Sequence, residues 1–301
     1  MAGKTYITGA SGRLGGAVLK KIDAIPLSRR ASGLKEEIVT DFSKEDLQKI
    51  LKDAETIVHI AGSINTLEKE KMWKANVDVT RNIVEAAPED ARIVFAGSIS
   101  VYGKRMAAIP ANEDTPVNPD TDYARSKYEA EKLVRQHKNH VILRIGVIYG
   151  PQFRIYFDVM RMIGKNRIRI IGEGNNRVPF VHVDDVADVF ANALTKGKGT
   201  YIVAGDSTTQ KQVIEMVCKE LGAKKPKHIS LNAAMLFAAF GEVWYRITGK
   251  RPKLTREEVS ILGNDRAFNC NKARRELGFS PRPLEDGMDE MIAEYRKITN
   301  Q

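Results

Sequence analysis

Short apolar runs alternate with amphipathic segments along most of this 301-residue chain. The apolar runs are rich in β-branched residues, as buried strands are, and they lie at residues 5–8, 24–27, 56–60, 92–96, 141–145 and 200–203. Helical spacing of apolar positions predicts helices over residues 14–22, 45–51, 77–87 and 123–137. This alternation predicts an α/β fold with a doubly wound parallel sheet, which binds ligands beyond the carboxyl ends of its strands.

The alternation loosens after Gly150 and Pro151, where we expect a second, smaller lobe. Residues 168–175 read as a strand and turn outside the main sheet, residues 180–186 lead into a capped helix that returns to the first lobe, and residues 210–221 and 233–245 read as helices. We therefore predict a first domain over residues 1–150 with a return segment at 180–204, and a C-terminal substrate lobe made of 151–179 and 205–301.

Composition narrows the class of protein. The chain is 43% hydrophobic and 29% charged, and no apolar run reaches the roughly 18 residues of a membrane span, so we expect a globular protein without a transmembrane anchor. No apolar leader follows the first residues, which predicts a cytoplasmic location. Cys218 and Cys270 form neither a disulfide framework nor a metal-binding spacing. The net charge of +10 favours anionic ligands, but the basic residues are scattered, so we predict no nucleic-acid partner.

The most informative local pattern is a glycine-rich turn between the first strand and the first helix. Glycines at positions 9, 12 and 15 permit a tight turn, a close approach of the backbone to a pyrophosphate, and close packing of helix on strand. This context predicts a dinucleotide site formed by Gly9, Ser11, Gly12, Arg13, Leu14 and Gly15.

Cofactor choice depends on the residues at the end of the second strand. An acid there binds the ribose hydroxyls of NAD, whereas a basic residue accommodates the 2′-phosphate of NADP. This chain has Ser28, Arg29 and Arg30 at that point, with no acid expected nearby, so we favour NADP(H) over NAD(H). The alternative is that both arginines are solvated loop residues.

A tyrosine and a lysine four residues apart provide candidate proton-transfer chemistry. A tyrosine acts as a general acid or base only if its pKa falls from roughly 10, and a neighbouring ammonium group lowers it. Tyr123 and Lys127 share one face of a predicted helix. Ser98 precedes them and would hydrogen-bond the reacting oxygen, while Ser100 is a competing serine that we expect to bond locally.

These patterns together resemble the extended, epimerase/dehydratase-like branch of the short-chain dehydrogenase/reductase superfamily, whose nucleotide domain has the Rossmann fold. The resemblance covers nearly the whole chain and rests on residues 9–15, 95–103, 123–127, 143–151, 182–186 and 272–279. It implies that Ser98, Tyr123 and Lys127 form the catalytic set, and that a homodimer forms through the helices at 77–87 and 123–137. It also implies cofactor contacts from Asp41, Phe42, Ile60, Ala61, Gly62, Asn76, Tyr123, Lys127, Ile145 and Val147.

Two departures from this family bear on the site. Ile145 occupies a position where the family usually has a proline beside the nicotinamide carboxamide. The arginine–aspartate pair that nucleotide-sugar enzymes commonly carry before the His182 segment is missing, and Arg177 stands four residues before that segment's Val181 instead. We therefore favour a surface or interface role for Arg154, Arg161 and Arg177 over recognition of a substrate diphosphate.

The segment at residues 231–240, followed by Trp244, Tyr245, Lys250 and Arg251, is unusually apolar for the second lobe. It resembles the segment of 3β-hydroxysteroid dehydrogenase and dihydroflavonol reductase relatives that borders a pocket for ring or isoprenoid substrates. The alternatives are a packed helix, a dimer interface and, less favoured, peripheral membrane contact.

The main functional hypothesis is an NAD(P)-dependent oxidoreductase. It would transfer a hydride between nicotinamide C4 and a secondary alcohol or ketone carbon of a small-molecule substrate, with Tyr123 as general acid/base. An alternative is an NAD-dependent nucleotide-sugar 4-epimerase, and a lesser one is a non-catalytic dinucleotide-sensing protein. Because Ile99 and Ser100 stand where a 4,6-dehydratase carries acids, that reaction is disfavoured.

Overall fold

The computed structural model describes residues 3–249 and 254–299. Its strands are β1 (Lys4–Thr8), β2 (Ile25–Ser28), β3 (Ile38–Val39), β4 (Ala54–His59), β5 (Arg92–Ser98), β6 (His140–Ile145), β7 (Val147–Tyr149), β8 (Arg169–Ile171), β9 (Arg177–Val178), β10 (Phe180–His182), β11 (Gly199–Val203), β12 (Thr208–Thr209) and β13 (Lys227–Ile229). Its α-helices are α1 (Arg13–Leu19), α2 (Lys44–Ile50), α3 (Lys69–Trp73), α4 (Val79–Ala86), α5 (Asp122–Val134), α6 (Ile155–Gly164), α7 (Val183–Ala193), α8 (Gln210–Glu220), α9 (Leu231–Thr248), α10 (Arg256–Leu262), α11 (Asn271–Leu277) and α12 (Leu284–Thr299).

Seven parallel strands form the main sheet in the order β3-β2-β1-β4-β5-β6-β11. The chain moves outward from β1 to β3 and then crosses back to β4, so a topological switch point lies between β1 and β4. In open α/β sheets the crevice at such a point, beyond the carboxyl ends of the strands, is where dinucleotides bind. The predicted doubly wound parallel sheet is confirmed.

Alternate residues along each strand are buried against opposite layers of helices. Ile7 and Val58 pack in one core cluster with residues of α1 and α7, whereas their neighbours Tyr6 and Ile57 pack in another with residues of α2 and α4. All four side chains are buried. Because both faces of the strands are covered, the strands appear in the sequence as continuous apolar runs rather than as alternating ones.

Two helices are longer than predicted, whereas α1 and α5 end three residues earlier than predicted. The helix expected over 77–87 begins earlier, since α3 continues through a π-helical turn (Lys74–Asp78) into α4. The helix expected over 233–245 is longer, because Ser230 caps its first turn and Gly249, with φ of 69°, ends it. Such glycine-ended helices are common, because glycine adopts the left-handed conformation without strain.

The remaining elements lie outside the main sheet. β7 pairs with β10, β9 with β12, and β8 with β13. β8 is the strand predicted near residue 170. Helix α9 packs on α10 through Ala234, Ala238 and Val259. Within the described ranges, no helix has both the length and the apolar composition needed to cross a membrane.

Candidate active site

The glycine-rich turn has the geometry of a phosphate cradle. A Cβ atom at Gly15 would lie 2.0 Å from the carbonyl oxygen of Gly9, and one at Gly9, where φ is +76°, would lie 2.7 Å from the amide nitrogen of Ala61. Gly12 occupies the N-cap of α1, and no side chain caps that helix end. The predicted neighbours Ser11 and Arg13 are exposed, and Leu14 is partly buried. The Gly12 N–H donates to the Gly9 carbonyl at 2.9 Å, while the uncapped first turn of α1, which begins at Arg13, leaves its N–H groups to an anionic ligand.

The end of β2 differs from the sequence-based expectation in one respect. We expected no acid near Ser28, but the Ser28 hydroxyl donates a hydrogen bond to the Glu37 carboxylate, which also accepts the backbone N–H of Ser32 at 2.7 Å. That expectation was wrong because the chain folds back after Ser28 and pairs β2 with β3, which begins beside Glu37. These hydrogen bonds, that of Ser28 foremost, lower the pKa of Glu37 to about 2.

Arg29 and Arg30 are both exposed at the same strand end. The Arg29 guanidinium carbon lies 5.9 Å from the centroid of the Phe42 ring. That ring is buried beside Leu47, so Phe42 belongs to the core, and its predicted contact with the adenine stays a prediction. Asp41 accepts the backbone N–H of Ser43, which lowers the pKa of Asp41.

A chain of hydrogen bonds that begins at Thr8, the last residue of β1, holds the loop after β4. The Thr8 hydroxyl lies 2.7 Å from His59 Nδ1 and accepts the backbone N–H of Ala61, while His59 Nε2 lies 2.8 Å from the Thr80 hydroxyl. Burial lowers the pKa of His59 to about 3, so the ring is neutral. This network sets the path of the predicted cofactor loop, which comprises Ile60, Ala61 and Gly62.

Asn76 connects this loop to the helix that carries the tyrosine. It is buried in the π-helical turn. Its side chain accepts the backbone N–H of Ser63 at 2.7 Å and donates to the Ser63 carbonyl and to the Ser126 hydroxyl, each at 2.9 Å. The widened turn is typical of functional segments, because it redirects a side chain out of regular helical spacing. Asn76 thus has the contacts of a positioning residue.

Ser98 and Tyr123 meet at the carboxyl edge of the sheet. Ser98 is the last residue of β5, and its hydroxyl accepts the backbone N–H of Ser100 at 3.2 Å. Tyr123 is partly buried. Burial raises the pKa of Tyr123, and the neighbouring Ser98 side chain opposes that rise. We expected Ser100 to bond locally through its hydroxyl, but in the described part of the chain that buried hydroxyl has no partner.

Lys127 is buried one helical turn after Tyr123. Its ammonium nitrogen lies 4.3 Å from the centroid of the Phe95 ring, and burial lowers its pKa to about 8 against the attraction of Glu131. A Cβ atom at Gly62 would lie 4.0 Å from this nitrogen, so the cofactor loop passes directly beside the cation. The charge of Lys127 does not offset the burial of Tyr123, so the expected lowering of the tyrosine pKa is not seen.

A buried ion pair fastens the tyrosine helix to the sheet. Arg144 on β6 donates two hydrogen bonds to Glu131 on α5, at 2.6 and 3.1 Å, and a third to the Tyr102 hydroxyl at 2.7 Å. Arg135 adds a further bond to the same carboxylate at 2.6 Å. Glu131 and Arg144 are almost fully buried, so they require each other as partners.

Ile145 and Val147 lie where β6 leaves the sheet. Ile145 is buried and stands in register with Ser98 on one side and Val203 on the other. Gly146 then separates it from the partly exposed Val147 at the start of β7. Ile145, where the resemblance leads us to expect a proline, is therefore adjacent to Ser98.

Sequence reasoning missed Arg266. It is only 6% exposed, one guanidinium nitrogen donates to the Ile99 carbonyl at 2.9 Å, and burial lowers its pKa to about 10. Its Nε and the nearby buried amide nitrogen of Asn176 have no hydrogen-bond partner among the described residues. No motif in the sequence marked either residue, since an isolated arginine or asparagine carries no spacing signal.

The arginines considered for a substrate diphosphate are partly committed elsewhere. Arg177 is paired with Asp265 through two nitrogens, with contacts from 2.5 to 3.2 Å. Arg161 is paired with Asp158 on the same helix. Because these pairs occupy both guanidinium groups, they favour the surface or interface role predicted from the sequence for both residues.

Comparison with known proteins places this geometry among related enzymes. Residues 5–205 match the model of the NAD dependent epimerase/dehydratase family, which is more than half of the chain. The chain is 25% identical over 303 aligned positions to the 3beta-hydroxysteroid-dehydrogenase/decarboxylase isoform 2 of Arabidopsis thaliana, covering 89% of this chain. The chain spans about half the length of that relative, since the alignment covers 53% of it.

A second relative matches over its full length. The 4-hydroxy-2-methyl-3-oxo-4-farnesyl-3,4-dihydroquinoline-1-oxide ketoreductase of Stigmatella aurantiaca is 25% identical over 319 aligned positions, which cover 96% of this chain and 95% of that protein. Among solved structures, the UDP-glucose 4-epimerase of Thermotoga maritima with UDP-glucose superposes with a TM-score of 0.75 at 21% identity, covering 99% of this chain and all of that one. The structural match supports the fold.

Proposed function

Since the chain belongs to the NAD-dependent epimerase/dehydratase family, we propose that it is a reductase or dehydrogenase of the short-chain dehydrogenase type. Its reaction would interconvert a secondary alcohol and a ketone. A nicotinamide dinucleotide, when bound, supplies or accepts the hydride. The position of the buried Lys127 carries this proposal, since it places a cation one turn after the proton donor Tyr123 and beside the predicted cofactor loop at Gly62.

In this proposal each candidate site residue has its own part in the transfer of the proton. Tyr123 would give its phenolic proton to the carbonyl oxygen during reduction and take it back during oxidation. Ser98 would hold that oxygen by a hydrogen bond. Lys127, buried beside the cofactor loop, would stabilise the phenolate once the substrate and the dinucleotide complete the site. Asn76 would keep the loop and the helix in register through its bonds to Ser63 and Ser126.

The glycine cradle fits a dinucleotide, and NADP(H) is the preferred form in this proposal. The two exposed arginines at the end of β2 are available for a 2′-phosphate. Glu37 beside Ser28 argues in the other direction, because an ionised acid at this point would accept hydrogen bonds from the ribose hydroxyls of NAD and repel a phosphate.

Titration of the purified protein with NADPH and NADH separates these alternatives. We expect tighter binding of NADPH, a loss of that preference in Arg29→Ala/Arg30→Ala, and a stronger preference in Glu37→Gln. Tighter binding of NADH by the wild type, abolished in Glu37→Gln, would contradict the assignment of NADP(H). Either result leaves the proposed proton chemistry of Tyr123 untouched.

The substrate proposed here is an apolar ketone or alcohol. The names of the two relatives describe a steroid and a farnesylated quinoline as substrates, and the lobe formed by residues 151–179 and 205–301 would bind the corresponding molecule here. Arg177 and Arg161, paired with acids of this chain, offer little to a substrate diphosphate. These observations favour a substrate without a nucleotide.

A reductase assay with matched variants tests the activity. Oxidation of NADPH would be followed with a panel of steroidal, isoprenoid and small cyclic ketones. We expect turnover with at least one apolar ketone, a loss of at least about 100-fold in Tyr123→Phe, and normal NADPH binding by that variant. Tyr128→Phe, one turn later on α5, is the matched control and should retain activity. Equal rates for wild type and Tyr123→Phe would refute the role of the tyrosine.

A nucleotide-sugar 4-epimerase is the second candidate, and Glu37 is the observation that favours it, because internal recycling of the hydride usually goes with bound NAD. Incubation with UDP-glucose and UDP-N-acetylglucosamine tests this alternative directly. Appearance of the 4-epimer without added cofactor, with NAD retained by the purified protein, would establish the epimerase and overturn the reductase.

We also propose a homodimer formed through α4 and α5. The two helices pack side by side on one face of the sheet, which provides two neighbouring helices for an isologous contact. Light scattering coupled to size-exclusion chromatography should give twice the chain mass. A monomer mass at micromolar concentration would refute the dimer.

A further inference from the structure

Helix α9 presents an apolar face to solvent that nothing in the described chain covers. Six side chains on it are each more than half exposed: Leu236, Phe237, Phe240, Val243, Trp244 and Ile247. At about 100° per residue they fall within an arc of about 120° on the helix surface. The opposite face carries Ala234 and Ala238, which are buried against α10. The helix is thus anchored by its small residues and exposes its large ones.

Charge surrounds this face on both sides along the chain. Residues 222–253 contain seven lysines and arginines and one acid, so this segment holds a net +6 of the chain's +10. Lys224, Lys225 and Lys227 are exposed just before the helix, and Lys227 pairs in register with Arg169, which is also exposed. After the helix come Lys250, Arg251 and Lys253, which lie outside the described residues.

The single acid of the segment lies away from the apolar arc. Glu242 is partly buried and accepts hydrogen bonds from the backbone and side chain of Arg256, each at 2.8 Å. The exposed face therefore combines a large aromatic and aliphatic surface with cationic flanks. This is the composition of helices that lie in the plane of an anionic lipid interface.

We infer that α9 docks this protein on the surface of an anionic lipid bilayer, with its apolar face inserted among the acyl chains and its basic flanks on the headgroups. A second copy of the chain is a poorer occupant, because a two-fold contact through α9 would bring the exposed Lys224, Lys225 and Lys227 of one copy towards those of the other. The helix would lie on the bilayer rather than across it, since no helix among the described residues is long and apolar enough to cross a membrane. The inference stands apart from the proposed reaction, since docking needs no turnover.

Vesicle flotation of the full chain tests the docking. We expect binding to vesicles of phosphatidylcholine with about 30% phosphatidylglycerol at about 0.1 M NaCl, and much weaker binding to phosphatidylcholine alone. Phe237→Ser/Phe240→Ser should lower the vesicle partition at least about tenfold. Val39→Ser/Ile298→Ser also removes two exposed apolar side chains, from β3 and α12, and should bind as the wild type does.

Two further measurements separate the lipid from other occupants. The chain has two tryptophans, so in Trp73→Phe the emission of Trp244 alone should shift to the blue when anionic vesicles are added. Lys224→Glu/Lys225→Glu should weaken binding, as should about 0.5 M NaCl. Failure of the wild type to float, or equal flotation of the Phe237→Ser/Phe240→Ser variant, overturns the inference. A third result would also overturn the inference: the wild type is a dimer that does not bind vesicles, and Phe237→Ser/Phe240→Ser converts it to a monomer. In that case α9 would contact a second copy of the chain.

Discussion

Replacing the buried lysine should make the protein more stable while it removes activity. Lys127 is 6% exposed, and burial lowers its pKa from 10.5 to about 8. One pKa unit corresponds to 1.36 kcal/mol, so keeping this ammonium charged in the folded state costs about 3 kcal/mol near pH 7. Methionine has a similar length and no charge. Replacing Lys127 with methionine also removes the cation–π contact with Phe95, which contributes about 1 kcal/mol. We therefore expect the free energy of unfolding of Lys127→Met to exceed that of the wild type by about 2 kcal/mol.

The gain should depend on pH in a defined direction. The folded pKa of about 8 lies below the unfolded value, so between about pH 8 and 10.5 the unfolded wild type binds more protons than the folded one. Stability contributed by Lys127 therefore rises with pH across this window. The advantage of Lys127→Met should be full below about pH 8 and should fade as the pH approaches 10.5.

Urea unfolding of both proteins near pH 7 and about pH 10 measures this difference. Lys132→Met is the control, because Lys132 lies on the same helix with its side chain 48% exposed and paired with Glu129, and its loss should change stability by less than about 0.5 kcal/mol at either pH. A Lys127→Met variant less stable than wild type, or a difference that does not shrink with pH, would refute the reasoning. Retention of turnover by this variant would separately refute the proposed role of the lysine.

Two other substitutions test the cradle and the buried ion pair. A Cβ atom at Gly15 would lie 2.0 Å from the Gly9 carbonyl, so Gly15→Ala should abolish dinucleotide binding in a calorimetric titration; Gly16→Ala, whose Cβ has 3.4 Å of clearance, should keep it, and equal affinities would contradict the cradle. Arg144→Met leaves the buried Glu131 carboxylate with a single arginine, so the free energy of unfolding measured in urea should fall by about 3 kcal/mol. A loss below about 1 kcal/mol would show that this pair does not hold α5 on the sheet.

Local patterns in the sequence were sufficient for the fold and for much of the candidate site. The strand–glycine turn–helix at Gly9 to Gly15 has its conformation dictated by steric limits that act within a few residues, so it could be predicted. The spacing of Tyr123 and Lys127 places them one turn apart on any α-helix. Ser98 was identified by its motif, and the structure places it at the carboxyl end of β5, the edge at which open parallel sheets bind ligands.

Interactions between distant segments were beyond the reach of those patterns. Glu37 meets Ser28 only because β3 folds back on β2, and Arg266 bonds the Ile99 carbonyl from a position 167 residues further along the chain. The raised pKa of Tyr123 was likewise unexpected. Spacing predicts that a lysine stands near the tyrosine, but desolvation depends on every atom that packs around the phenol.

The sequence by itself determined the alternation of strands and helices and the glycine-rich turn, and it identified the candidates for proton transfer, because these depend on periodicity and on short-range spacing. Only the tertiary structure decided which acid stands at the ribose end, how strongly each buried group is shifted, and which face of α9 remains exposed. Those properties arise from burial and from charges on elements far apart in the chain, and both exist only once the sheet and its helices have packed.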